Sequence, residues 1–91
     1  SAIRAFGDSK SNNAALAQIL NKDYSKAKAT LGGIDYPDAT TYYIAAVLGA
    51  RTNNSDMVFN NLREAFKLDN KLVDQAKTDL EFSRFNLSSL Y

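Results

Sequence analysis

The sequence contains no cysteine, no histidine, a single proline and only four glycines. Without cysteine the chain can form neither disulfides nor thiolate metal sites, an absence that fits both reducing and oxidising compartments. Without histidine and cysteine it also lacks the commonest general base and the commonest soft nucleophile. So little proline and glycine is unlike an all-β sandwich, which needs many turns, and therefore favours helices.

The sequence also lacks an excess of one charge and a long apolar run. Eleven basic and ten acidic side chains give a formal net charge of +1, so no strong field attracts nucleic acid or anionic lipid. No apolar run approaches the roughly 20 residues that span a bilayer. We therefore predict no nucleic-acid binding and no membrane insertion, and 91 residues allow at most one small domain.

Apolar residues recur at helical spacing in five segments. The first two helices flank a turn at Asn21-Lys22, the next two flank a turn at residues 53–55, and the fifth runs from about Lys71 to Leu80. The predicted N-caps, whose side chains can accept a hydrogen bond from the first helical turn, are Ser11, Asp23, Asp38 and Ser55. The polar residues of the fifth helix that are predicted to point outward are Lys71, Asp74, Lys77 and Asp79.

The two ends of the sequence are interpreted as parts of the same pattern. Residues 1–8 place Ala2 and Phe6 on one face and are predicted to be the remnant of a preceding helix, in a piece of a longer protein. The tail EFSRFNLSSLY is apolar and is predicted to fold back over the last helix. The single domain thus divides into residues 1–8, a first hairpin (9–36), a second hairpin (37–70) and a capping helix with tail (71–91).

The two predicted hairpins look like copies of each other. Aligning Lys22 with Asn53 also matches Ala27 with Val58, at an offset of about 31 residues that lies within the range of helical repeats. Small residues are predicted where the two helix axes come close, at Ala45, Ala46, Gly49 and Ala65. The second hairpin is therefore the best-defined unit of the chain.

This pattern resembles the tetratricopeptide repeat (TPR), a helix-turn-helix unit of about 34 residues. The matching positions in the second hairpin are Tyr42, Ala45, Ala46, Gly49, Val58, Leu62 and Ala65. Residues 68–70 (Leu-Asp-Asn) stand where the family usually has Leu-Asp-Pro; in the first hairpin Ser11 replaces the aromatic residue. The resemblance covers residues 9–70 and implies an all-α fold, in which TPR-like hairpins form a short right-handed α-solenoid with a C-terminal capping helix.

The resemblance implies a non-enzymatic protein-interaction scaffold with a concave groove for a peptide or protein partner. The groove-facing positions that follow from the alignment are Asn12, Asn13, Leu16 and Leu20 in the first unit and Thr40, Tyr43, Ile44, Val47 and Arg51 in the second. Thr40 and Ile44 stand where family members that clamp a C-terminal carboxylate have Lys and Arg, so that mode is not expected. Replacing Tyr43 and Arg51 with alanine is expected to weaken partner capture without changing melting.

Several alternatives stay open. An upstream repeat can cover Tyr43 and Val47, and the chain can be purely architectural or form a homo-oligomer through its apolar tail. A hydrolase would need paired carboxylates, but Asp23, Asp38 and Asp56 stand at helix starts, where the helix dipole explains them. We predict no catalytic residue, metal or cofactor. The segments Asn-Asn-Ala-Ala-Leu-Ala and Asp-Leu-Glu-Phe look like envelope-associated TPR proteins of Bacteroidetes, which implies a periplasmic or outer-membrane setting, with cytoplasm as the alternative.

Overall fold

The computed structural model of the protein describes residues 11–90, and every regular element in that range is helical. The α-helices are α1 (Asn12–Leu20), α2 (Tyr24–Gly32), α3 (Ala39–Arg51), α4 (Ser55–Leu68) and α5 (Leu72–Thr78). Two 3₁₀ turns follow, at Leu80–Phe82 and Ser88–Leu90. The all-α prediction is confirmed for this part of the chain, whereas the helix remnant predicted at residues 1–8 lies outside the described residues, as does Tyr91.

The first of two structural units extends from Ser1 to Tyr36. In its described part, α1 packs against α2 around Ala15, Ile19 and Ala27, each of which is 0% exposed. The hydroxyl of Thr30 in α2 donates to Oε1 of Gln18 in α1 at 2.7 Å. Since two of the three core side chains are alanine, this hairpin buries little apolar area of its own.

The second unit extends from Pro37 to Tyr91, and its centre is the pair formed by α3 and α4. All residues from 43 to 50 in α3 are buried. Helix α4 contributes Val58, Leu62 and Ala65, which recur on one helical face and are each 0% exposed. Helix α5 packs on α4. The sequence predicts a tail folded over the fifth helix; the structure places its two 3₁₀ turns on α3 and α4.

Two of the predicted N-caps are confirmed by their hydrogen bonds. Oγ of Ser11 accepts from the N–H of Ala14 at 3.1 Å, and Oδ1 of Asp38 accepts from the N–H of Thr41 at 2.9 Å. Oγ1 of Thr41 in turn accepts from the N–H of Asp38 at 3.1 Å, which completes a capping box. The start of α3 is therefore fixed by reciprocal hydrogen bonds within four residues.

The other two predicted caps differ from expectation. Asp23 stands at the N-cap position of α2, but its side chain makes no capping hydrogen bond. The prediction of Ser55 as the cap of α4 is wrong, because Oδ1 of Asn54 accepts from the N–H of Met57 at 3.2 Å. Asparagine caps a helix as well as serine does, so the helix begins one residue earlier than the sequence pattern suggested.

The turns of the two hairpins have the same backbone conformation. Lys22 and Asn53, the residues that the sequence alignment pairs, have positive φ values of 65° and 57°. The N–H of the following residue donates to the carbonyl of Gln18 in the first turn and of Gly49 in the second, at 2.8 Å in both. This is the Schellman arrangement, in which one left-handed residue lets the last helical carbonyls accept hydrogen bonds.

Helices α3 and α4 come into backbone contact at Gly49. A Cβ atom at this position would lie 2.9 Å from both Cβ of Met57 and the backbone N of Val58, and 3.1 Å from the carbonyl O of Asn54. Backbone atoms cannot withdraw as the end of a flexible side chain can, so only glycine fits here without a shift of the helices. Around Gly32 such a Cβ would meet nothing within 4 Å.

Candidate partner-binding face

The groove residues predicted in the first unit lie along α1. Asn13 is exposed and Asn12 is half-buried. Leu16 and Leu20 lie on one helical face because they are four residues apart. They are 39% and 63% exposed. Helix α1 therefore has both polar and apolar side chains at its surface, and a role for them in binding stays a prediction.

The groove residues predicted in the second unit lie on α3. Tyr43, Val47 and Arg51 recur at four-residue spacing and share one stripe, which we call the α3 face. Tyr43 is 7% and Val47 8% exposed, whereas the side chain of Arg51 keeps 29% of its surface exposed. Thr40, near the start of the helix, is exposed. The stripe is thus largely covered, and residues 79–90, which we call the C-terminal segment, provide contacts to two of its members.

The C-terminal segment contacts Tyr43 through both its hydroxyl and its ring. The phenol donates to Oδ2 of Asp79 at 2.6 Å, and the ring packs edge-to-face against Phe82, with centroids 5.5 Å apart. The other carboxylate oxygen of Asp79 accepts from the N–H of Glu81 at 2.9 Å. Because Tyr43 is buried by these contacts, its replacement by alanine should lower stability, contrary to the sequence-based expectation of unchanged melting.

Arg51 holds the same segment through a bidentate ion pair with Glu81. Its Nε donates to Oε1 of Glu81 at 3.1 Å and its Nη2 to Oε2 at 2.7 Å. The two side chains remain 29% and 30% exposed, which limits the pair to roughly 1 kcal/mol or less. Its parallel geometry nevertheless fixes the orientation of the carboxylate. Arg84 adds a hydrogen bond from its guanidinium to the carbonyl of Ala50.

Other apolar side chains of the tail are covered within the chain. Leu87 is 6% exposed, and Phe85 packs edge-to-face against Phe59 of α4, with centroids 6.1 Å apart. Leu80 is the contrast, because 86% of it is exposed. Most of the apolar tail, through which the sequence allowed a homo-oligomer, therefore packs on its own hairpin.

Burial raises the pKa of the Tyr43 phenol well above its usual value. The hydrogen bond to Asp79 and the negative charge of that carboxylate act in the same direction, and a hydrogen bond with Gln75 opposes them. A raised pKa keeps the phenol protonated, so it remains a donor to Asp79 across the neutral range. The hydrogen bond that holds Asp79 on the α3 face therefore depends on the phenol proton of Tyr43, which is lost only in alkaline solution.

This coupling predicts a loss of stability at high pH. The unfolded phenol ionises near pH 10, before the folded one, so the contribution of Tyr43 is complete below about pH 10 and is lost as the pH rises through the folded pKa. Above about pH 10 the wild-type chain should lose roughly 1.4 kcal/mol per pH unit more than Tyr43→Phe. Urea unfolding from about pH 8 to pH 11 measures the difference.

The control for this pH series is Tyr36→Phe, which removes a phenol from a residue that is 92% exposed. That variant should follow the wild-type decline at high pH, because the hydroxyl it removes is open to solvent. An identical alkaline decline in Tyr43→Phe and the wild type would mean that another group is responsible.

The three acidic residues that a hydrolase would have to pair lie at the surface. Asp23, Asp38 and Asp56 are all exposed. Among residues 11–90 no group of three or more acidic side chains is placed to hold a metal ion. In the same range none of the helices has both the length and the apolar character needed to cross a bilayer.

The residues that cover the α3 face were not predicted from the sequence. The prediction that Asp79 points outward from the fifth helix is wrong, because α5 ends at Thr78 and Asp79 is half-buried beside Tyr43. The contacts from Tyr43 to Asp79 and from Arg51 to Glu81 span 36 and 30 residues. Helical periodicity reports only on neighbours within a turn or two, so it gives no information about such pairs.

None of the protein-family models, curated proteins or solved structures compared with the chain matches it. The tetratricopeptide resemblance therefore stays a prediction. The function of the chain has to be inferred from the α3 face and the segment that lies on it.

Proposed function

We propose that this chain is a TPR-like protein-interaction scaffold without enzymatic activity, and that the α3 face binds a peptide segment of a partner protein. The observation that supports this most is that the face already holds a segment of polypeptide through directional contacts. Tyr43 donates to one carboxylate and Arg51 to another. Side chains that fix both the charge and the orientation of a peptide are those that specific recognition requires.

The rigidity of the second hairpin favours the same function. The backbone contact at Gly49 and the capping box at Asp38 hold α3 in place before any partner arrives. A preorganised surface loses less conformational entropy on binding than a mobile one, and so binds more tightly through the same contacts. The face is therefore suited to a scaffold that keeps one shape.

The shared geometry of the two turns supports the TPR-like part of the proposal. Lys22 and Asn53 have the same left-handed conformation at the positions that the sequence alignment pairs. In repeat proteins each helical hairpin buries its apolar face against a neighbour. We infer that these hairpins are units of a TPR-like solenoid.

Selection from a display library of random linear peptides tests the function. The intact chain should enrich a family of peptides whose binding is reduced about tenfold or more, or roughly 1.4 kcal/mol, by Arg51→Glu. The matched control is Arg63→Glu, which makes the same charge change at an exposed position of α4. Peptides that bind the wild type and both variants equally, or no enrichment at all, would contradict the proposal.

A further inference from the structure

The contacts between the C-terminal segment and the α3 face follow a four-residue pattern. Asp79 accepts from the Tyr43 hydroxyl, Glu81 accepts from Arg51, and Phe82 packs on the Tyr43 ring. Leu80, between them, is 86% exposed and Phe82 is 2% exposed. The face therefore contacts the first, third and fourth residues of the sequence Asp-x-Glu-Phe and leaves the second to solvent.

We propose that residues 79–82 imitate the partner, so that the α3 face takes a peptide in which two carboxylates, two residues apart, are followed by an aromatic residue. The chain's own segment keeps the face closed until such a peptide displaces it. This inference rests on the proposed function, and it adds the chemistry of the partner and the competition for the face.

Each position of the pattern has its own physical selectivity. The guanidinium of Arg51 donates two parallel hydrogen bonds to a carboxylate. A lysine or an amide at that position of the peptide cannot accept both of them. The Tyr43 hydroxyl donates into a largely buried site, where an unpaired carboxylate would be costly and a paired one is held firmly. The Tyr43 ring packs edge-to-face with a second aromatic ring more favourably than with a polar side chain.

Covalent attachment explains why the face is closed in the isolated chain. A segment joined by a short linker competes at an effective concentration of roughly millimolar, so it weakens the apparent affinity of a peptide, and only peptides that bind strongly displace it. The weakest part of the attachment is the ion pair, since the Arg51 and Glu81 side chains are 29% and 30% exposed. A change at Glu81 therefore loosens the segment, and the chain still folds without peptide because it keeps the Phe82 ring that packs on Tyr43.

The test is fluorescence anisotropy of a labelled peptide that copies residues 77–90, added to the full chain at about 50 mM salt, where screening is modest. Glu81→Lys places a cation beside Arg51 and repels the chain's own segment. This variant should bind the peptide about tenfold more tightly than the wild type, and Glu81→Gln about threefold. The control Glu64→Lys makes the same charge change on α4 at a side chain that is 47% exposed, and should bind as weakly as the wild type.

Reversing the charge of the peptide's glutamate then tests whether this residue contacts Arg51. A peptide with lysine in place of its glutamate should bind Glu81→Lys about tenfold more weakly than the original peptide does. The same reversed peptide should regain that affinity on Arg51→Glu, whose own Glu81 is repelled. Recovery of binding by paired reversal is expected only when the two side chains meet in the complex.

Unchanged affinity of Glu81→Lys and Glu81→Gln for the peptide, in chains whose circular dichroism shows that they are folded, would overturn the inference. Equal binding of the original and reversed peptides would do the same. If display selection yields Arg51-dependent peptides that lack the acidic and aromatic pattern, this inference fails and the proposed function stands. If it yields no Arg51-dependent peptide, both fail.

Discussion

Replacing Gly49 with alanine is expected to lower the free energy of unfolding by about 2–3 kcal/mol, as overpacking in a close helix contact does. The added Cβ would lie 2.9 Å from the backbone N of Val58 and 2.9 Å from Cβ of Met57. Alanine favours a helix over glycine by up to about 1 kcal/mol, which offsets only part of this loss. Urea unfolding followed by circular dichroism gives the value.

The matched control is the same substitution at Gly32, the last residue of α2. A Cβ there meets nothing within 4 Å, so alanine adds helix propensity and restricts the unfolded chain without a clash. Gly32→Ala should therefore be stabilising, by about 0.5 kcal/mol. Effects of the same sign at the two glycines would mean that the α3–α4 contact does not decide the outcome at Gly49.

Replacing Phe82 with alanine is expected to lower the free energy of unfolding by about 3–5 kcal/mol, the usual cost of deleting a buried aromatic ring. Phe82 is 2% exposed and loses its edge-to-face contact with Tyr43. Such a loss is a large part of the total stability of a domain of this size. Urea unfolding measures it directly, and the near-ultraviolet circular dichroism of the tyrosines should weaken as the packing around Tyr43 loosens.

Leu80→Ala is the matched control, because Leu80 belongs to the same 3₁₀ turn as Phe82 but is 86% exposed. Its removal should change stability by less than about 0.5 kcal/mol, as is usual at the surface. Comparable losses in the two variants would show that the turn itself matters and that the Phe82 ring does not anchor the C-terminal segment.

The parts of the fold that depend on neighbouring residues could be predicted from the sequence. Helical periodicity located the five helices of residues 11–90, and capping chemistry located the starts at Ser11 and Asp38. The left-handed turns at Lys22 and Asn53 stand where the two hairpins were aligned. Each of these features is decided within about one helical turn of the residues concerned, so one sequence suffices.

The closure of the α3 face could be predicted only in part. The residues of α3 between Asp38 and Arg51 include no charged side chain, and a helix that is apolar all round is typically covered on more than one side. That pattern indicates a cover, but it does not say which segment provides it. The pairing of Tyr43 with Asp79 depends on the path of the chain between them, and this path follows from tertiary packing.

The long span of these contacts also has a consequence for the order in which the chain folds. Helices α3 and α4 meet through a short turn, whereas the bonds from the α3 face to Asp79 and Glu81 join residues 36 and 30 apart. Contacts of short sequence separation form first, because they close smaller loops. During synthesis, therefore, the hairpin is expected to fold while its α3 face is still open, before residues 79–82 can cover it.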